Sequence, residues 1–191
     1  LGDGERTRIE RSALAGLADT HERLYAAIGW RAEGTARVLV DGDRAGGFAL
    51  LAERADHYAG CGSPDYATDL AFRAVTLGAD PAALLDVFER SGTTNPPLGA
   101  LRHRLVAALA EDDDVGLEAA ADALVELGCR PDARFGLDAA AGAAARRGAT
   151  RRSTALRARA EALAGPPRGP GAVERPATEG APSAATTSTT G

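Results

Sequence analysis

Two stretches of this chain carry the same punctuation. ALLAERADHYAGCGSPDYATDL (Ala49–Leu70) and LEAAADALVELGCRPDARFGL (Leu117–Leu137) each read as a helix ending in Gly-Cys, then a Pro-Asp helix start, then an aromatic and a leucine. Gly60 and Gly128 are 68 residues apart, and Pro64 and Pro131 are 67 apart. A tetratricopeptide unit is a helix–turn–helix of about 34 residues, so the spacing corresponds to two such units. Units of this kind bury their apolar faces only against neighbouring units. The repeat therefore predicts an all-α fold, an α-solenoid of stacked antiparallel, tetratricopeptide-like helical hairpins over residues 1–165.

Composition agrees with helices and against strands. Hydrophobic residues make up 45% of the 191 residues but aromatics only 4%, so the core must come from Leu, Ala and Val. Isoleucine occurs only at Ile9 and Ile28, whereas strands favour β-branched and aromatic residues and Ala, Leu, Arg and Glu are good helix formers.

Local signals place the elements. Ile9, Ala13, Leu17, Leu24 and Ile28 share one helical face and predict a helix over 7–28, with a second over 33–40. Asp43 is placed to cap a helix over 44–59 with the stripe Phe48, Leu51, Ala52, Ala55 and Tyr58. Ser63 and Pro64 are expected as N-cap and first residue of a helix over 64–77 that buries Tyr66, Leu70, Ala74 and Leu77 and ends at Gly78. Asp80-Pro81 opens another helix; Ser91–Pro97 reads as an irregular loop. Helices are then expected over 98–110, 115–127, 131–147 and 150–164. From residue 166 to 191 the chain is rich in Pro, Gly, Ser, Thr and Ala without apolar periodicity, which predicts a disordered tail or linker.

Several kinds of chemistry find no support in the residues. All 22 basic residues are arginine, so a phosphate loop of the form GxxxxGK[ST] cannot occur. No GxSxG is present, and Cys61 with His57 is the only local thiol–imidazole pair, with nothing to mark a pocket around it. His21, His103 and Cys129 are scattered, whereas a structural zinc site needs four ligands in close pairs. Both cysteines are expected as small buried residues at equivalent helix ends. The cluster Glu111–Asp114 lacks the alternating ligands of a calcium loop and reads as a turn that places negative charge at a helix N-terminus. No catalytic, cofactor-binding or metal-ligating residue is predicted, and the chain is expected not to be an enzyme.

The formal net charge of −5 weighs against direct nucleic-acid binding. Arg146, Arg147, Arg151, Arg152, Arg157, Arg159 and Arg168 lie in a stretch whose only acid is Glu161. They read as a solvated helix face, with a basic patch for an acidic partner or DNA phosphate as the other reading. No apolar run reaches the length of a membrane span and no signal core is present, so no membrane association and a cytoplasmic location are expected. Leu rather than Met stands at position 1, which reads as a piece of a longer chain.

The stretch GLEAAADALVELGCRPDARFGLDAAAGAAARRGATRRSTALRARAEALAG resembles the last helices before the DNA-binding domain in the large LuxR-type, MalT-like transcriptional regulators of actinobacteria. The likeness is carried by Ala119–Gly128, Ala139–Ala145, the Arg146-Arg147-Gly148 turn and Ala155–Ala164. Upstream, DGDRAGGFALLAERADHYAGCG and LGADPAALLDVFERSG are also similar, so the resemblance covers about 33–165. It implies the helical region of a regulator that joins a STAND-type NTPase to a helix-turn-helix; neither an NTPase motif nor an LTxREREV-like opening stands in these 191 residues. The implied partners are a protein or the other domains of such a regulator. The alternative is a free-standing tetratricopeptide-like adaptor that binds a protein partner.

Overall fold

The computed structural model describes residues 23–91 and 97–165, and these are all-helical, without strands. Eight α-helices follow in order: α1 Arg23–Leu39, α2 Arg44–Gly60, α3 Pro64–Thr76, α4 Leu85–Ser91, α5 Pro97–Ala110, α6 Asp114–Glu126, α7 Arg130–Arg146 and α8 Thr150–Ala164. A single 3₁₀ turn, Ala82–Leu84, leads into α4. The expected helix after Asp80-Pro81 is thus a 3₁₀ turn continued by a short α-helix. Residues 7–22, most of the 91–97 loop and the tail from 166 lie outside the described residues.

The expected break between residues 28 and 33 does not exist, because α1 runs through it. Glycine inside a helix costs about 1 kcal/mol relative to alanine. Here Gly29 and Gly34 are buried, and a Cβ on Gly34 would stand 2.5 Å from Leu51 Cγ on α2. Gly34 is kept because its missing Cβ lets α2 come close.

Each helix packs along its predecessor in chain order, and α1 also touches α3, α3 touches α5, and α5 touches α7. The core between them is leucine set in alanine. Leu51, Leu70, Leu105, Leu117, Leu124, Leu137 and Leu156 are buried, alongside Phe88. Each such side chain stabilises by about 1.5–3 kcal/mol relative to an exposed one. Ala67, Ala71, Ala120, Ala121, Ala140 and Ala144 are wholly inaccessible; their small size sets the short distance between helix axes. Tyr66 and Leu77, expected in the core, are only half-buried at its edge.

The turns correct the reading of the repeat. The α2–α3 turn places Gly62 in the left-handed region at φ +67°, and the α6–α7 turn places Gly128 there at φ +82°. In both, the glycine and the residue after it donate back to the helix: Gly62 to Ala59 and Ser63 to Tyr58, Gly128 to Val125 and Cys129 to Leu124. This is the Schellman arrangement, and it makes Gly62 the counterpart of Gly128. Cys61 therefore corresponds to Leu127, and Cys129 to Ser63. The repeated Gly-Cys letters mark different turn positions, and neither cysteine is buried: Cys61 is exposed and Cys129 half-buried.

Caps behave unequally. Asp43 accepts a hydrogen bond from Gly46 N at 2.9 Å, and Asp113 accepts from Val115 N at 3.1 Å. Ser63 stands at the N-cap of α3 without a side-chain cap bond; its hydroxyl accepts from Arg23 at 3.0 Å instead. Among the described residues no helix is long and apolar enough to cross a membrane.

Candidate functional site

The residues singled out by chemistry are not gathered into one place. Cys61 Sγ lies 3.7 Å from His57 Nε2, one helical turn back on the exposed end of α2, where the pair is open to solvent. His103 stacks on Phe88 with ring centroids 5.7 Å apart and an interplanar angle of 11°. Among the described residues no three His, Cys, Asp or Glu side chains come together as metal ligands. His21 and Arg168 lie outside the described residues.

The arginines of the C-terminal stretch stay largely solvent-exposed, as a solvated helix face requires, but most of them are paired rather than free, because acids of α6 and the turn before it face them. Arg146 pairs with Asp112, and Arg147 with Asp114. Arg152 Nε lies 2.7 Å from Asp114 and its terminal nitrogen donates to Glu118 at 2.6 Å. Arg159 bridges Glu118 and Asp122. Arg151 and Arg157, on the same helix, are exposed and make no ion pair among the described residues. Asp114 itself is buried, and as the first residue of α6 its charge is also favoured by the helix dipole. Asp112 adopts φ +55°, the left-handed region that aspartate tolerates better than most residues. The hydrogen bond from Arg146 holds its carboxyl below the ordinary aspartate value. The acidic cluster thus does place charge at a helix start, and it also ties α8 down.

A second charged network lies in a concavity built from the odd-numbered helices. α1 contributes Arg31, α3 contributes Asp69, Phe72 and Arg73, α5 contributes Arg102, and α7 contributes Asp132 and Phe135; together they enclose a cleft of about 200 Å³. Asp69 pairs with Arg31 at 3.3 Å and with Arg102 at 3.1 Å. Arg102 also donates from Nε to Asp132 at 2.8 Å. Its guanidinium lies over the Phe72 ring, 4.8 Å from the centroid, where the ring quadrupole favours a cation. Phe72 meets Phe135 edge to face at 5.9 Å.

Arg73 differs from its neighbours. Its Nε donates to Thr35 Oγ1 at 3.0 Å, and among the described residues no carboxylate lies within ion-pair distance of it. Burial lowers its pKa from the ordinary arginine value, the nearby Arg31 charge pushes the same way, and Asp69 opposes them. The cleft therefore holds three guanidinium groups against two carboxylates.

None of these seven side chains was expected as a site. A signal was present: Asp69 and Arg102 are separated by 33 residues and Arg102 and Asp132 by 30, near one helix-pair length, with the sign of charge alternating. Reading it needs the knowledge that alternate helices touch. No family, no curated protein and no solved structure matches this chain.

Proposed function

We propose that this chain is a helical-repeat interaction and regulatory module, an array of stacked antiparallel hairpins of the kind found in LuxR-type transcriptional regulators. It binds a protein partner, or the other domains of a larger regulator, in the concavity lined by α1, α3, α5 and α7, and carries no catalytic step of its own. The observation that supports it best is the set of polar links between alternate helices. Arg73 reaches Thr35 across 38 residues, Arg102 reaches Asp69 across 33, Arg90 reaches Asp56 across 34, and Arg152 reaches Glu118 across 34. Links repeating at about one helix-pair length are what stacked hairpins produce. A charged cleft assembled from several such units responds to their relative tilt, so a ligand there biases how the array meets its neighbours.

The alternative is a free-standing adaptor with the same groove and no regulatory domains attached. The encoding reading frame tests the first: an NTPase upstream and a helix-turn-helix downstream are expected, and their absence from the frame would sink the regulator reading. Co-purification of a stoichiometric protein partner with the separately encoded chain would favour the adaptor.

A further inference from the structure

We propose that the cleft between α1, α3, α5 and α7 is a carboxylate-binding subsite, in which Arg73, reinforced by Arg31, takes a glutamate side chain of an acidic peptide segment. The inference deepens the interaction-module reading and rests on it. Three guanidinium groups meet two carboxylates in the cleft, and the existing carboxylates are committed. Asp69 is held by Arg31 and Arg102, and Asp132 by Arg102. The uncompensated charge is Arg73, fixed through its Nε by Thr35 so that its terminal nitrogens keep their donors. A half-buried cation in this state recovers the solvation it has lost by accepting an anion, and two parallel N–H donors suit a planar carboxylate.

Size and charge select within the anions. One excess positive charge balances a monoanion, whereas a dianionic phosphate would leave one negative charge facing Asp69 and Asp132. Phe72 and Phe135 line the same cleft, and the two methylenes of a glutamate stem suit such an aromatic lining. A cleft of about 200 Å³ accommodates a side chain rather than a drug-sized ligand, since pockets for the latter span roughly 300–1,000 Å³. The remainder of the peptide then lies along the exposed faces of the same helices.

The test is a nuclear magnetic resonance titration of the 191-residue chain, following backbone amides of α3 and the Arg73 Nε–H. The probes are a blocked pentapeptide with a central glutamate, its glutamine counterpart, glutarate, and inorganic phosphate. Saturable shifts at Arg73 and Phe72 are expected with the glutamate peptide and more weakly with glutarate, and not with the glutamine peptide. Arg73→Gln should weaken the glutamate peptide by about tenfold or more, the scale of a lost charge-assisted hydrogen bond. Arg73→Lys should restore part of the affinity, and Arg151→Gln on α8 should leave it unchanged. Melting of each variant shows that it remains folded; should Arg73→Gln unfold, Thr35→Ala, which frees the Arg73 Nε, replaces it and is expected to weaken the peptide in the same sense. Equal shifts with the glutamate and glutamine peptides, no saturable shift with any probe, or full affinity in Arg73→Gln would overturn the subsite. Phosphate binding without carboxylate binding would overturn the assignment to glutamate. None of these results touches the regulator reading, which stands or falls on the encoding frame.

Discussion

Asp114 and Arg152 lie on different helices, and Asp114 Oδ2 stands 2.7 Å from Arg152 Nε. The Asp114 side chain is 9% exposed while the Arg152 side chain is 39% exposed, so the pair is buried on one side only. The arginine keeps much of its hydration and the aspartate is compensated by Arg147, Arg152 and the start of α6. Removing the acid costs the compensated buried charge and leaves two arginines that can turn to water. Asp114→Ala is expected to lower stability by about 1–3 kcal/mol, with α8 loosening first. Chemical denaturation gives the total, and hydrogen exchange should show protection lost in α8 before α1–α3. A uniform loss across all helices would contradict the assignment of Asp114 as the tie of α8.

Asp112 contributes differently because it is open to solvent. Its folded pKa lies below the ordinary value of 3.8, first because Arg146 donates to it. A depressed carboxylate contributes stability that is fully present above the ordinary value and is lost as pH falls through the folded value. The wild-type chain is therefore expected to lose this contribution below about pH 4. Asp112→Asn keeps a residue that accepts the left-handed φ of +55° and removes the titration. Its stability should be lower at neutral pH, with the difference from wild type shrinking in acid. A difference that is constant with pH would show that the Arg146 contact has no linkage to folding.

Tyr58 gives the opposite limb. The side chain is 5% exposed, its hydroxyl donates to the Arg23 carbonyl at 3.2 Å, and burial raises its pKa above the ordinary 10.0. The neutral phenol is the favoured form in the fold. Its contribution is present below the ordinary tyrosine value and is lost as pH rises through the folded value. Absorbance at alkaline pH should show one phenol ionising later than free tyrosine, together with the loss of helix. Tyr58→Phe should abolish that late step; its persistence in the variant would assign it elsewhere.

Two glycines should respond to alanine with opposite signs. A Cβ on Gly47 would stand 2.5 Å from Val38 Cγ2 and 2.8 Å from the Gly34 carbonyl oxygen. The second contact is backbone and cannot swing away, so α1 and α2 would have to separate. A Cβ on Gly142, inside α7 one turn before its end, meets only the end of the flexible Arg146 side chain at 3.4 Å. Gly47→Ala is expected to destabilise by about 1–3 kcal/mol through overpacking, whereas Gly142→Ala should stabilise by about 0.5–1 kcal/mol through helix propensity. Thermal melts of the two variants beside wild type decide both. A stabilised Gly47→Ala would mean that the α1–α2 crossing is looser than its geometry indicates.

What the sequence determined by itself is the run of helices and most of their ends. Periodic apolar positions, Asp43 before α2, Pro64 opening α3 and Gly78 and Gly148 closing helices are local signals, and local physics acts on them directly. The alanine-rich composition likewise settled that the core would be close-packed and helical. Only the tertiary structure decided which side chains meet. Residues 29–32 read as a break between two helices, whereas α1 runs through them and Gly34 lets α2 pack closely on it. Gly60-Cys61 and Gly128-Cys129 look equivalent until the left-handed glycine sets the register. Arg146, Arg147, Arg152 and Arg159 read as a solvated helix face, and the acids that pair with them stand opposite only once α6 and the turn before it have packed there. The cleft around Arg73 is invisible in any one helix, because it takes one or more side chains from each of four helices. Ion pairing and burial at such places depend on distances between residues far apart in the chain, and those distances exist only once the helices have packed.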